Sequence, residues 1–389
     1  MRKTGENKLL YLTAGEGWSG VIQSQVVDVL PMIAKEGSSP TLVTYLSMRS
    51  FLRNLRLWRV NYKDTLIRPM CPGVKNWERN RYSVARILKS LRPSGVICRG
   101  PIATTLALRA REVSNVNVKI CYDGRSARSA ELDEYSPGHP LRAEMVEIER
   151  IAILQADHRI AVSNKLVEYW RENFNYNGEK QTVIPCSLSN SFENVDLSER
   201  AAMRMELGWD ETTCGLVYSG SIAGWQISTL LRDCMRSWLQ RPHVQLLFLS
   251  KQGEFVDELK REFPGRVACR WEQHEDVPRW LSSADYGLLL REKNITNRVA
   301  APVKFAEYLA CGLKVICSED LGDYSEFIHA HSAGNVVSEV NINSILLGLV
   351  DEKEKSRMQS LAAFWFSKKS PRIRNLYRCV TKALIPMTE

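Results

Sequence analysis

Between Ala301 and Cys317 the chain reads Ala-Pro-Val-Lys-Phe-Ala-Glu-Tyr-Leu-Ala-Cys-Gly-Leu-Lys-Val-Ile-Cys, a pattern with few folded solutions. It predicts a short helix followed at once by a buried strand. Pro302 suits the first helical position, where its missing N–H costs nothing. Gly312 suits the position just past the helix, where left-handed backbone is needed. Leu313 to Cys317 is an apolar run with β-branched residues, the pattern of a buried strand. On the helix, Lys304 and Glu307 stand three residues apart and share a face, while Phe305 and Leu309 form the opposite, core-facing stripe. A helix N-terminus carries partial positive charge and free N–H groups, and Lys304 adds a full charge, so this end favours an anion such as a diphosphate. Glu307, one turn deeper, can accept hydrogen bonds from a sugar diol. The competing explanation is a surface ion pair on an ordinary helix, worth only ~0.3–0.5 kcal/mol.

The run from Pro302 to Ile316 resembles the nucleotide-sugar-binding segment of family 4 glycosyltransferases, which are retaining, metal-independent enzymes of the GT-B fold. The resemblance covers most of residues 150–330, and residues 9–130 more loosely. It implies an α/β chain of two Rossmann-like parallel-sheet domains facing each other across a cleft. The expected divisions are 1-188 for an acceptor-binding domain, 195-365 for a nucleotide-sugar-binding domain, and 366-389 for a C-terminal helix crossing back to the first. The family often places an Arg after the glycine that ends the second domain's first strand, and a Lys a few residues on. Here those positions hold Ser221 and Trp225. The family's usual Glu eight residues before Glu307 falls at Val299 and is absent. Some members instead carry Arg … Asn-Arg … Pro-x-Lys in this loop, which Arg291, Asn297, Arg298 and Lys304 match. The resemblance therefore implies a donor site with four parts. Gly220 and Ser221 supply backbone N–H groups, and Trp271 meets the base. Arg291, Asn297, Arg298 and Lys304 take the diphosphate and sugar, and Glu307 takes the ribose diol.

A length of 389 residues accommodates two such domains, and 44% hydrophobic with 25% charged residues is ordinary for a globular protein. There is no apolar run of ~18 residues to cross a bilayer, and the N-terminus lacks an apolar signal-peptide core. The ten Cys are scattered with no C-x-x-C, and several (Cys98, Cys121, Cys311, Cys317) sit in apolar runs. They read as reduced, buried side chains of a cytoplasmic protein rather than disulfides or zinc ligands. The net charge of +9 has three candidate explanations: nucleic acid, an anionic membrane surface, or anionic small molecules. No dense basic run with interleaved aromatics speaks for nucleic acid. Within residues 50–59, Phe51, Leu52, Leu55 and Trp58 recur at helical spacing beside Arg53, Arg56 and Arg59. This is a basic amphipathic helix, suited either to anionic headgroups at a membrane periphery or to an ordinary surface.

Taken from its start, the chain opens with a strand at Leu9–Thr13, then Gly15-Glu16-Gly17-Trp18-Ser19-Gly20, then a helix at Val21–Ala34 with Pro31 inside it. Gly15, Gly17 and Gly20 fit the G-x-G-x-x-G spacing of a dinucleotide fingerprint, but no acidic residue ends a well-placed second strand. GT-B enzymes carry a glycine-rich loop here on the acceptor side, so Gly17, Trp18 and Ser19 are expected to contact acceptor. A strand at Pro40–Tyr45 is followed by an irregular basic insert over 46–80. Strands ending at Arg99 and Tyr122 place Arg99, Asp123 and Arg125 at carboxyl strand ends, where open α/β sheets bind ligands. Asp123-Gly124-Arg125 followed by Glu131 resembles a segment of family members that act on polysaccharide or lipid-linked acceptors. Arg99 and Arg125 are thus expected acceptor contacts, with Asp123 and Glu131 orienting the acceptor; a turn cap is the alternative for Asp123.

In the second half, strands are expected at Cys214–Ser219, Val244–Ser250, Gly265–Trp271 and Tyr286–Leu290, helices at Glu319–Ile328 and Ile342–Trp365, and the interdomain linker at 185–195. No Asp-x-Asp metal motif occupies a plausible loop, so no metal or cofactor is expected. Lys304, with Arg291 and Arg298, would stabilise the departing diphosphate instead. The expected partners are a nucleotide sugar and a glycan or lipid-linked hydroxyl acceptor, with an anionic membrane surface as a further candidate and no nucleic acid. Three rivals remain: a GT-B sugar-nucleotide epimerase, which needs carboxylates where this loop is basic; a dinucleotide-dependent oxidoreductase; and a basic membrane- or nucleic-acid-binding protein.

Overall fold

The computed structural model describes residues 7–34, 38–71, 74–221 and 228–385. The chain divides into two compact units, Met1–Pro185 with Pro371–Glu389, and Cys186–Ser370. Among the described residues no helix is long and apolar enough to cross a membrane.

The N-terminal unit holds a seven-stranded, wholly parallel sheet. Its strands are β1 (Asn7–Ala14), β2 (Ser38–Ser47), β3 (Thr65–Met70), β4 (Gly95–Arg99), β5 (Lys119–Gly124), β6 (His158–Ala161) and β7 (Gln181–Val183), in the spatial order β3-β2-β1-β4-β5-β6-β7. Alternation along β1 sends Leu10 and Leu12 to one face and Leu9 and Tyr11 to the other, each side backed by its own apolar cluster. The helix Pro371–Leu384 closes the second cluster. Its stripe Ile373, Tyr377, Val380 and Leu384 is buried against the Leu30–Ala34 helix and the β5–β7 side of the sheet. Burying each such side chain contributes roughly 1.5–3 kcal/mol.

The second unit holds a six-stranded parallel sheet of β8 (Cys214–Ser219), β9 (Val244–Leu249), β10 (Val267–Arg270), β11 (Tyr286–Leu289), β12 (Lys314–Ser318) and β13 (Gly334–Val337), in the order β10-β9-β8-β11-β12-β13. Asp285, fully buried just before β11, is its electrostatic anchor. It pairs with Arg200 at 2.9 Å and Lys355 at 3.5 Å and accepts from the backbone N–H of Gly215 at 2.9 Å. Two parallel sheets, each in a Rossmann-like order, make the fold class α/β.

Several local expectations are corrected. Residues 65–70, read as part of an irregular insert, form the edge strand β3; Arg68 and Pro69 hide its pattern, and Pro is tolerated there because an edge has unpaired backbone. The helix expected over Val21–Ala34 breaks at Val26 (φ −123°, ψ −68°), and Pro31 sits in the first turn of the separate Leu30–Ala34 helix. The helix expected at Glu319–Ile328 runs over Tyr324–His331. The helix expected at Ile342–Trp365 begins only at Glu352, where the Asp351 side chain accepts from the Glu354 N–H at 2.8 Å.

Candidate functional site

The order of the second sheet reverses direction between β8 and β11, and ligands of open parallel sheets bind outside the carboxyl ends at such a switch point. Ser219, Gly220 and Ser221 leave β8 there, and Arg291 leaves β11 there. Gly220 has φ 141°, which a side chain disfavours, and its N–H donates to the Leu249 carbonyl at 3.1 Å. The Tyr218 hydroxyl donates to the Ser221 carbonyl at 2.7 Å, and the Arg291 N–H donates to Ser318 Oγ at 3.1 Å, so both loop starts are fixed. The rest of the glycine turn, Ile222 to Gln226 with Trp225, lies outside the described residues.

Facing this point is the helix Val303–Ala310, with Pro302 as its N-cap rather than its first residue. Gly312 follows it at φ 78°. Phe305 and Leu309 are fully buried, and Phe305 stacks on Tyr324 with ring centroids 4.0 Å apart. Tyr308 is buried too. Its hydroxyl accepts from the Ser219 N–H at 3.1 Å and donates to the Leu288 carbonyl at 3.3 Å, tying the ends of β8 and β11 together. Only Gly fits at position 287, because a Cβ there would stand 2.3 Å from the Tyr308 ring.

Lys304 and Glu307 occupy the remaining, partly exposed face of this helix. They form no surface ion pair: among the described residues neither Lys304 nor Arg291 has a carboxylate within 4.0 Å. Burial, and secondly the nearby Arg291 charge, depress Lys304 from 10.5 to about 8; Glu307 offsets this only in part. Burial raises Glu307 from 4.5 to about 7, with Lys304 opposing. Two mutually repelling cations with no carboxylate within 4.0 Å and only partial support from Glu307, at a switch point and a helix N-terminus, constitute a preformed place for a multiply charged anion. Asn297 and Arg298 are on the short Ile295–Arg298 helix that precedes the Val303–Ala310 helix in the chain, which Asn294 caps by accepting from the Asn297 N–H at 2.9 Å. Trp271 follows β10, two strands from β8, or about 10 Å at ~4.8 Å per strand. Trp271 is 63% exposed, with Lys251 Nζ 5.1 Å from its ring centroid.

The N-terminal unit gathers a second group at the carboxyl ends of β1, β4 and β5, again at the sheet's switch point. Asp123 is fully buried. It accepts from the Tyr11 hydroxyl at 2.5 Å and pairs with Arg125 at 2.6 Å and with Arg99 at 3.9 Å. Arg99 also pairs with Glu16 at 2.9 Å. Glu131 lies on the Arg128–Tyr135 helix, pairs with Arg128 at 2.9 Å and accepts from Ser126 at 2.9 Å. Arg99, Arg125, Glu16, Arg128, Glu131 and His139 all line one cavity of ≈ 550 Å³. Asp123 thus reaches the cavity only through the two guanidiniums it fixes. Of the glycine-loop residues, Ser19 caps the Gly20–Gln25 helix, accepting from Ile22 at 3.3 Å, and Trp18 packs edge-on against Trp58 at 4.9 Å. Gly17 is held so close to Asn54 that a Cβ would meet its Oδ1 at 2.7 Å. Neither Trp18 nor Ser19 is among the residues lining that cavity; Gly15 and Glu16 are.

Sequence reasoning missed Tyr11, Glu16, Arg128, His139 and Glu149. The fully buried Glu149 caps the Arg128–Tyr135 helix by accepting from the N–H groups of Arg128 (3.0 Å) and Ser129 (2.9 Å), setting where Arg128 and Glu131 stand. Glu149 pairs across 20 residues with a helix N-terminus, so no local spacing announces it. Arg128, three residues before Glu131, was legible by helical spacing.

No protein-family model matches the chain, and no curated protein matches its sequence. Solved structures do resemble it. HepE of Anabaena, determined with UDP, matches with a TM-score of 0.67 at 14% identity, over 96% of this chain and 98% of HepE. The lipopolysaccharide outer core galactosyltransferase WaaB matches with a TM-score of 0.66 at 16% identity, over 97% of this chain and 98% of WaaB. Sucrose-phosphate synthase of Thermosynechococcus elongatus gives 0.59 at 14% identity, over 97% and 95%. With two parallel α/β sheets and these neighbours, the chain has the GT-B glycosyltransferase fold.

Proposed function

We propose that the chain is a glycosyltransferase that takes a sugar from a nucleoside-diphosphate donor and joins it, with retention and without a metal ion, to a hydroxyl of a polysaccharide or lipid-linked glycan in the cytoplasm. The observation that carries this reading is Lys304, which stands in the first turn of the Val303–Ala310 helix at the switch point of the sheet with no carboxylate within 4.0 Å among the described residues, and is repelled by the Arg291 charge. A departing diphosphate supplies the missing negative charge, and fixed cations stabilise it more as the glycosidic bond breaks and charge develops. HepE has also been determined with UDP-glucose, which makes a UDP-hexose the first donor to test. In this reading Arg291, Arg298 and Lys304 bind the diphosphate with the backbone N–H of Ser221, while Gly220, whose own N–H is held by the Leu249 carbonyl, shapes the turn that lets the diphosphate approach. Trp271 stacks on the base, Asn297 reaches the sugar, and Glu307 holds the ribose diol. On the acceptor side, Arg99, Arg125 and Glu131 contact the acceptor, with Gly17, Trp18 and Ser19 at the edge of its path. Asp123 is a positioning residue rather than a catalytic one. No protein nucleophile is assigned.

The test is turnover of a panel of nucleotide sugars with a mixed glycan acceptor pool, with and without EDTA. Release of nucleoside diphosphate that requires acceptor and survives chelation supports the proposal. Tight NAD binding, or sugar isomerisation without any acceptor, contradicts it.

A further inference from the structure

The helix Phe51–Asn61 presents a face that the transfer reaction does not use. Trp58 is fully buried on its inner side, whereas Leu52 is 79%, Val60 72% and Leu57 38% exposed, with Met48 just before the helix at 52%. At ~100° per residue, Leu52, Arg56 and Val60 fall in one row, with Arg59 and Arg53 to either side. Arg53, Arg56 and Arg59 are exposed, and between Met48 and Lys63 there is no acidic residue. Among the described residues none of Arg49, Arg53, Arg56 and Arg59 has a carboxylate within 4.0 Å. Surface leucines and valines scattered singly mean little, but four apolar side chains interleaved with four arginines in the thirteen residues from Met48 to Val60 are a different matter.

We propose that this face docks on an anionic lipid bilayer, with Leu52, Leu57 and Val60 entering the headgroup boundary and the arginines on lipid phosphates. Charge complementarity selects the lipid. The arginine stems run along the apolar row while their heads stay with the phosphates. RNA would satisfy the arginines but leave Leu52 and Val60 in water, and the face offers no exposed aromatic for a base to stack on. The inner side of the helix rests on the glycine loop, through Asn54 beside Gly17 and Trp58 against Trp18. Gly15 and Glu16 of that loop line the 550 Å³ cavity with Ser47. Docking therefore holds the cavity within one loop of the headgroups, as a lipid-linked acceptor requires. That last step rests on the transferase reading; the docking does not.

The experiment is sedimentation of the full chain with vesicles of phosphatidylcholine alone or with one-third phosphatidylglycerol. Binding is expected to the anionic vesicles only, and to weaken with salt. Replacing Arg53, Arg56 and Arg59 together by Gln should lower the partition coefficient roughly 100-fold, at about fivefold per basic residue. Leu52→Ser with Val60→Ser should lower it about tenfold or more. All five side chains are solvent-exposed, so unfolding temperatures and any nucleotide-induced shift should stay as in the native chain. Equal vesicle binding by native and triple-Gln protein overturns the proposal. So does RNA binding that the Gln variant loses and the Ser variant keeps, with no vesicle binding by either. Normal docking together with absent sugar transfer would leave the docking standing and refute the transferase reading.

Discussion

Replacing Lys304 by Met keeps the apolar stem and removes the charge. The consequence runs in opposite directions for the free and the bound protein. In the free protein, burial and Arg291 hold Lys304 at about 8 rather than 10.5, which corresponds to ~3 kcal/mol at ~1.36 kcal/mol per pH unit. A lysine depressed in the folded state destabilises the fold most below pH 8, and stability recovers as pH rises from about 8 towards 10.5. At pH 7 Lys304→Met should therefore unfold at a temperature equal to or above that of the native chain. With a diphosphate present the sign reverses. A cation ~4 Å from a unit negative charge gains about 4 kcal/mol at an effective dielectric constant of ~20, before solvent screening. A net loss of ~2–3 kcal/mol, or roughly 30- to 150-fold in Kd, is expected. Calorimetric titration with UDP at pH 7 and thermal unfolding without ligand measure the two halves. In the native chain, affinity should also fall about tenfold per pH unit above pH 8, with one proton taken up on binding; the Met variant should show neither. An unchanged Kd, or a variant that binds normally but is less stable, would refute the electrostatic reasoning.

Glu307→Gln removes the one carboxylate that supports the Lys304 charge, so the pH above which UDP binding weakens should move below 8; affinity should drop roughly tenfold or more as a charged acceptor to the ribose diol is lost, and titration at pH 6.5, 7.5 and 8.5 reads both. Gly287→Ala drives a methyl into the Tyr308 ring and should cost about 1–3 kcal/mol in denaturant unfolding while loosening the Ser219 tether, so UDP binding weakens as well. Asp285→Ala leaves Arg200 and Lys355 buried without their counter-ion and should destabilise the second unit by about 3–5 kcal/mol, seen in chemical denaturation.

The helix and strand from Val303 to Ser318 were legible because local chemistry there agrees at every level: Pro before the helix, Gly after it, an apolar stripe, then β-branched residues. That Lys304 and Glu307 share the partly exposed face followed from spacing alone. That Lys304 is buried and repelled by Arg291 could not be read, because Arg291 arrives from the end of a strand thirteen residues earlier. The N-terminal group was half legible. Strand ends point to Arg99, Asp123 and Arg125, but the burial that withdraws Asp123 behind two guanidiniums depends on Tyr11, 112 residues away. Strand β3 was hidden by Arg68 and Pro69, and Pro69 is tolerated because the strand lies at the sheet's edge. The break at Val26 has no sequence signal, since the Pro that suggests a kink lies five residues later.

The most direct test is a crystal structure of the chain with UDP. The diphosphate should lie within ~3 Å of Lys304 Nζ, at the N-terminus of the Val303–Ala310 helix, close to the Gly220 and Ser221 backbone and with the uracil at Trp271. A diphosphate bound anywhere else, with Lys304 still uncompensated, would contradict the proposed donor site.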